Sequence, residues 1–81
     1  MQDNYKTIEQ KLRNLEPFRG NTMTAVWNEN KGGLDVYSYN TCIGQALRIN
    51  GQIVIDYFNR DKYSVTTSKH QNIIRRAWGV K

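Results

Sequence analysis

Ser64, Thr66, Thr67, Ser68 and His70 bring hydroxyls and an imidazole into one short stretch of the chain. Such groups do nucleophilic catalysis when a hydroxyl, a base and an orienting acid converge in space. Here the acids close in sequence are Asp56 and Asp61. His70 also falls on an apolar helical stripe with Ile73, Ile74, Ala77 and Trp78. The hydroxyls read better as the end of an extended segment followed by a helix start. Ser68 as N-cap with Gln71 three residues on has the form of a capping box. No enzyme is expected. His70 keeps three readings: a core-edge residue with one nitrogen on the backbone, a pH-sensitive group, or a ligand contact.

Other chemistries find less. The chain has one Cys, Cys42, and one His. It therefore has no internal disulfide and no dedicated zinc site, and a reducing compartment is expected. Gly32-Gly33 after Lys31 lacks the spacing and the Lys-Ser/Thr of a phosphate-binding loop. No acid pair suits glycoside hydrolysis. No cofactor or metal is expected. The longest apolar runs, such as Ile53-Val54-Ile55, are far short of a membrane span. Met1–Lys6 lacks the basic start and apolar stretch of a secretory signal. A cytoplasmic protein follows as the expectation.

Charge is the more specific signal. Through residue 59, Lys6, Lys11, Arg13, Arg19, Lys31 and Arg48 balance Asp3, Glu9, Glu16, Glu29, Asp35 and Asp56. Beyond it, Arg60, Lys62, Lys69, Arg75, Arg76 and Lys81 face Asp61 alone, so the net +5 lies in the last quarter of the chain. An acidic macromolecule, either nucleic acid or a protein, is the partner this implies. On the capping-box reading, Lys69 stands in the first turn of the last helix, where a cation costs up to ~1 kcal/mol. Free amides there, with Thr67, Ser68, His70 and the Lys69 ammonium, would make a phosphate site. The competing reading is a solvated lysine. Arg75 and Arg76 sit at the helix C-terminus, where cations are favourable anyway; Arg60 and Lys62 extend the basic run. Tyr37 and Tyr39 are candidates for base stacking or an interface, against the plain reading of strand tyrosines.

The elements that must hold these groups follow from periodicity. A chain of 81 residues makes one domain. Residues 3–15 form an amphipathic helix with Tyr5, Ile8, Leu12 and Leu15 on one face, Asp3 as N-cap and Pro17 as the stop. Glu16–Asn21 reads as a loop. Strands follow over 22–28, 34–39, 41–49 and 52–58. The first places Met23, Ala25 and Trp27 on one face. Gly44 marks a bulge, and Asn50-Gly51 a type I′ hairpin. A short further strand at 63–66 is an option. A helix over about 69–78 ends at Gly79. The fold class is α+β, αββββα: an antiparallel sheet over about 22–66 with both helices packed on one face.

Three blocks carry a resemblance. They are Phe18-Arg-Gly-Asn-Thr-Met with Trp27 after it, Val36-Tyr-Ser-Tyr-Asn-Thr-Cys-Ile, and Tyr63-Ser-Val-Thr-Thr-Ser-Lys-His-Gln-Asn-Ile-Ile-Arg-Arg-Ala. Over about residues 17–78 the chain resembles a family of short proteins encoded by bacteriophages and prophages, carried as a domain of unknown function. The resemblance implies a phage origin, expression in a bacterial cytoplasm and an accessory role. It brings no catalytic residues. The expected function is a non-enzymatic accessory protein that binds nucleic acid or a nucleoprotein complex through its basic C-terminal region. The alternative is a protein–protein inhibitor of a host enzyme or defence complex.

Overall fold

Helix α1 spans Tyr5–Arg13 in the computed structural model, which describes residues 4–20, 22–61 and 63–80. Its N-cap is Asn4, whose Oδ1 accepts the Thr7 amide at 2.9 Å; Asp3, the expected cap, lies outside the described residues. Ile8 and Leu12 form the buried stripe. The helix ends earlier than Pro17 requires. Leu15 adopts a left-handed conformation, φ 51°. The Leu15 and Glu16 amides donate to the carbonyls of Leu12 (3.1 Å) and Lys11 (2.8 Å), a Schellman closure. Positive φ costs a leucine ~1–2 kcal/mol. Leu15 is 4% exposed, and burial of its side chain, worth about 1.5–3 kcal/mol, offsets that cost.

The sheet has five strands rather than four. Phe18–Arg19 (β1), within the segment read as a loop, pairs with Ala25 and Thr24. Its apolar Phe18 is 5% exposed, so the chain runs along the sheet here instead of looping away. The other strands match the expectation: Met23–Asn28 (β2), Gly33–Ser38 (β3), Thr41–Ile49 (β4) and Gln52–Phe58 (β5). All neighbours are antiparallel, in the order β1-β2-β3-β4-β5. In the β2–β3 turn, Asn28 Oδ1 accepts the amides of Asn30 and Lys31. In the β4–β5 turn, Asn50 and Gly51 take φ 53° and 78°, as a type I′ hairpin demands.

Gly44 sits beside the expected bulge. The β3–β4 register shifts between Val36 and Tyr37, which leaves Ile43 as the extra residue on β4. A Cβ on Gly44 would meet Trp78 Cζ3 at 3.1 Å and Ile74 Cδ1 at 3.2 Å. Trp78 and Ile74 thus pack directly on the glycine, and an added methyl would make them give by a few tenths of an ångström.

That helix, α2, spans Val65–Trp78, and its N-cap is Ser64, not Ser68. Ser64 Oγ accepts the Thr67 amide at 3.1 Å. Val65 and Thr66, read as the end of a possible strand over 63–66, lie in the first turn of the helix. Tertiary contacts choose the earlier start. Thr67 is buried, with its hydroxyl 3.0 Å from Ser38 Oγ. Gln71, expected at N3 of a capping box, instead donates Nε2 to the carbonyls of Asn59 (2.8 Å) and Asp61 (3.0 Å). It pins the loop that leads from β5 into α2. Gly79 at φ 70° closes the C-terminus as expected.

Both helices cover one face of the sheet. Ile8, Leu12, Leu15, Ile73, Ile74 and Trp78 meet Phe18, Met23, Ala25, Leu34, Val36, Ile43 and Ala46 in a single core. Trp78 donates its Nε1–H to the Leu12 carbonyl at 2.9 Å, bridging α2 to α1. Trp27, expected beside Met23 and Ala25, is 41% exposed. Its alternation is right, but it lies near the end of the strand and stays partly open to solvent. No described helix is long and apolar enough to cross a membrane.

Candidate nucleic-acid interface

The revised start of α2 moves Lys69 out of its first turn, so the expected phosphate site at a helix N-terminus is not formed by these residues. Amide groups left free at a helix start belong to its first turn, and Lys69 lies past it. What the structure builds instead is a basic face across two helices. On α2, Lys69, Asn72 and Arg76 recur at helical spacing along the exposed side. On α1, Lys6, Gln10 and Arg13 do the same. The helices pack side by side, and an open groove runs between them, lined by Tyr5, Lys6, Glu9, Gln10, Arg13 and Arg76. Lys69 Nζ stands 5.6 Å from the centroid of the Tyr5 ring, which extends the basic surface past the groove's end.

Among the described residues, Glu9 is the acid that lines this groove. Its carboxylate accepts from Arg13 at 2.7 Å and from Arg76 at 3.1 Å. The two guanidiniums are largely exposed, at 55% and 61% of the side chain, so these pairs contribute little to stability. Their effect is to hold two forked donors in place with hydrogen-bonding capacity left over. Among the described residues, Lys6, Arg13 and Arg76 line the groove with Glu9 as its acid, and Lys69 stands over Tyr5 at its end, so cations outnumber acids on this face.

The other expected site residues fall elsewhere. Arg60 and Arg75 place their guanidinium carbons 5.2 Å and 5.5 Å from the centroid of the Phe58 ring, on the β5 side of α2. Ser68 is half-buried. Lys62 lies outside the described residues. Tyr37 and Tyr39 are not a pair. Tyr37 is half-buried at the register position opposite Thr24 and Cys42. Tyr39 lies past the end of β3, in the turn before β4, at φ 56°. It is 56% exposed, and its ring centroid lies 6.5 Å from that of His70.

His70 and Thr67 are interior. His70 is fully buried. Its Nδ1 is 2.7 Å from Ser38 Oγ, and its Nε2 is 3.1 Å from Thr22 Oγ1 and 3.3 Å from Tyr5 Oη. The expectation of a backbone partner is replaced by hydroxyls on both nitrogens. Among the described residues no buried side-chain polar atom lacks a partner. Burial pushes the imidazole pKa down, and Lys69 next to it in the chain adds to the shift. The Ser38–His70 contact has the distance of a nucleophile–base pair, but Ser38 is 1% exposed and the far nitrogen meets hydroxyls in place of a carboxylate. The network instead ties α1, the residue before β2, β3 and α2 together. Burial also raises the pKa of the half-buried Cys42 thiol, which makes it a poor nucleophile. No metal-binding group of His, Cys, Asp or Glu forms among the described residues.

Sequence reasoning missed Tyr5, Lys6, Glu9 and Arg13. The signal for them was present: Lys6 and Arg13 are one heptad apart on the polar side of α1. Their balance against acids elsewhere in the first three-quarters of the chain concealed it. No curated protein and no solved structure matches the chain significantly. A family model does, over residues 1–78, almost the whole length: the chain belongs to DUF8033, a family of unknown function.

Proposed function

We propose that this is a small, non-enzymatic, phage-type accessory protein of the bacterial cytoplasm that binds nucleic acid, or a nucleoprotein complex, across the α1–α2 face. One observation carries the reading: among the described residues, Lys6, Arg13 and Arg76, drawn from two distant parts of the sequence, line one groove with Glu9 as its acid, and Lys69 stands over Tyr5 at its end. Helix-dipole complementarity accounts for cations in a last helical turn. It does not account for Lys6 and Lys69. Phosphates are the partner this surface suits, with contacts that neutralise charge and release counterions. Tyr5, exposed beside Lys6 and Lys69, offers a ring for unpaired bases.

The competing reading is an inhibitor of a host protein. The observation in its favour is Phe58 flanked by Arg60 and Arg75, an arginine–aromatic group of the type that dominates protein interfaces. Fluorescence anisotropy with single-stranded and duplex DNA and RNA, at two salt concentrations, separates the two. Binding in the ~1–100 μM range that weakens steeply with salt supports the first. Failure to bind any of them below ~100 μM at low salt sinks it. A pull-down that recovers one stoichiometric, nuclease-resistant host protein then supports the second.

A further inference from the structure

The two edges of the sheet are built differently. β1 is two residues long and carries Arg19, so it offers little backbone for another strand and blunts it with charge. β5 is seven residues long, Gln52–Phe58, with no Pro, Lys or Arg in it. Val54, Ile55 and Tyr57 are 42%, 37% and 41% exposed. Its one charge, Asp56, already lies 3.7 Å from Lys31. From Gln52 to Ile55, ahead of the charge at Asp56, this apolar edge carries no guard, and such a stretch is a template for another strand.

The register shows which strand fits. In a two-residue hairpin the residues flanking the turn, Ile49 and Gln52, exchange both hydrogen bonds. Gln52 and Val54 therefore direct their backbone groups to β4, and Ile53 and Ile55 direct theirs to the free edge. We infer that the occupant is a second copy of this chain, paired antiparallel through β5 about a two-fold axis at Val54. In that register Ile53 exchanges both hydrogen bonds with the partner's Ile55, and Ile55 with the partner's Ile53. Val54 lies against the partner's Val54 at the close, non-hydrogen-bonded position. Asp56 comes opposite the partner's Gln52, an amide donor, so no carboxylate faces another. The contact is isologous and closes at two copies. The β4–β5 register slips between Gln45 and Ala46, leaving Asp56 as the extra residue; this irregularity confines the new ladder to the first part of the strand.

An antiparallel pairing of this kind has its axis perpendicular to the sheet. Both helical layers then lie on the same side of a continuous ten-stranded sheet, and the two basic α1–α2 faces point the same way. The dimer does not depend on what those faces bind.

Light scattering coupled to size exclusion tests it on the full chain. The expected mass is twice 9.5 kDa at micromolar concentration. Val54→Lys sets two ammoniums against each other across the axis, and should return the single-chain mass with an unchanged circular dichroism spectrum. Amide hydrogen exchange gives a second readout that needs no variant. The Ile53 and Ile55 amides should gain protection as concentration rises, while Gln52 and Val54, bonded to β4, stay protected throughout. A single-chain mass at every accessible concentration overturns the inference. So do fast-exchanging Ile53 and Ile55 amides in a sample of doubled mass, which would place the contact on another surface.

Discussion

His70 is the only histidine in the chain, so its titration can be read without interference from another. Burial, and then Lys69, lower its pKa from the ordinary 6.5. The folded protein thus holds a neutral imidazole, while the unfolded chain takes up a proton below about pH 6.5. Stability from this group is complete above that pH and declines as pH falls toward the depressed folded value. Melting temperature should drop on going from about pH 7 to pH 5. His70→Gln should melt lower at neutral pH but lose most of that dependence; an unchanged pH profile in the variant would remove His70 as its source. Trp78 acts at the same scale. It is 9% exposed and bonds the Leu12 carbonyl. Trp78→Ala should cost about 3–5 kcal/mol in denaturant unfolding. Trp78→Phe keeps most of the packing and should lose roughly 1 kcal/mol for the hydrogen bond, plus any penalty for a dry carbonyl.

At the level of the element, the start of α2 separates two serines that look alike in sequence. Ser64 caps the helix, so Ser64→Ala should lower stability by about 1 kcal/mol. Ser68 lies inside the helix, and Ser68→Ala should change it little, since alanine is the better helix former. Equal losses at both positions would contradict the observed start. The β4–β5 hairpin makes the second test. Gly51 at φ 78° has open space around it, so the obstacle to a side chain is conformational, not steric crowding. Gly51→Val should cost more than ~1 kcal/mol because a β-branched residue resists positive φ. A melting curve that does not move would rule out the type I′ turn. Turn and strand positions here were legible because Asn-Gly and period-two alternation are local signals. The helix start was not, because both serines satisfy the local rule. Thr67 against Ser38, and Gln71 against the 59–61 loop, made the choice.

For the molecule as a whole, charge placement is the feature on which the proposed function rests. Lys69→Glu should weaken nucleic-acid binding and lower the salt slope by about one. Lys6→Glu should do the same, although it lies in the three-quarters of the chain that looked neutral. Arg75→Glu, on the Phe58 side, should do less. Anisotropy titrations rank the three, and a dominant Arg75 effect would move the interface to the β5 side of α2. Lys69→Glu brings no gain in stability from the helix dipole, because that effect fades beyond the first turn. The sequence by itself determined the α+β class, the order of the helices and main strands, the turns at Asn50-Gly51 and Gly79, and the core role of Trp78. Each of these rests on nearest neighbours or on a period of two or 3.6, which a chain displays without folding. Only the tertiary structure decided that Lys6 and Arg13 join Lys69 and Arg76, that His70 closes a hydroxyl network, and that Tyr37 and Tyr39 part company. These outcomes depend on which helix faces meet and on which side of a turn a residue lands. Contacts between residues more than sixty positions apart, such as Glu9 with Arg76, leave no periodic mark on the chain.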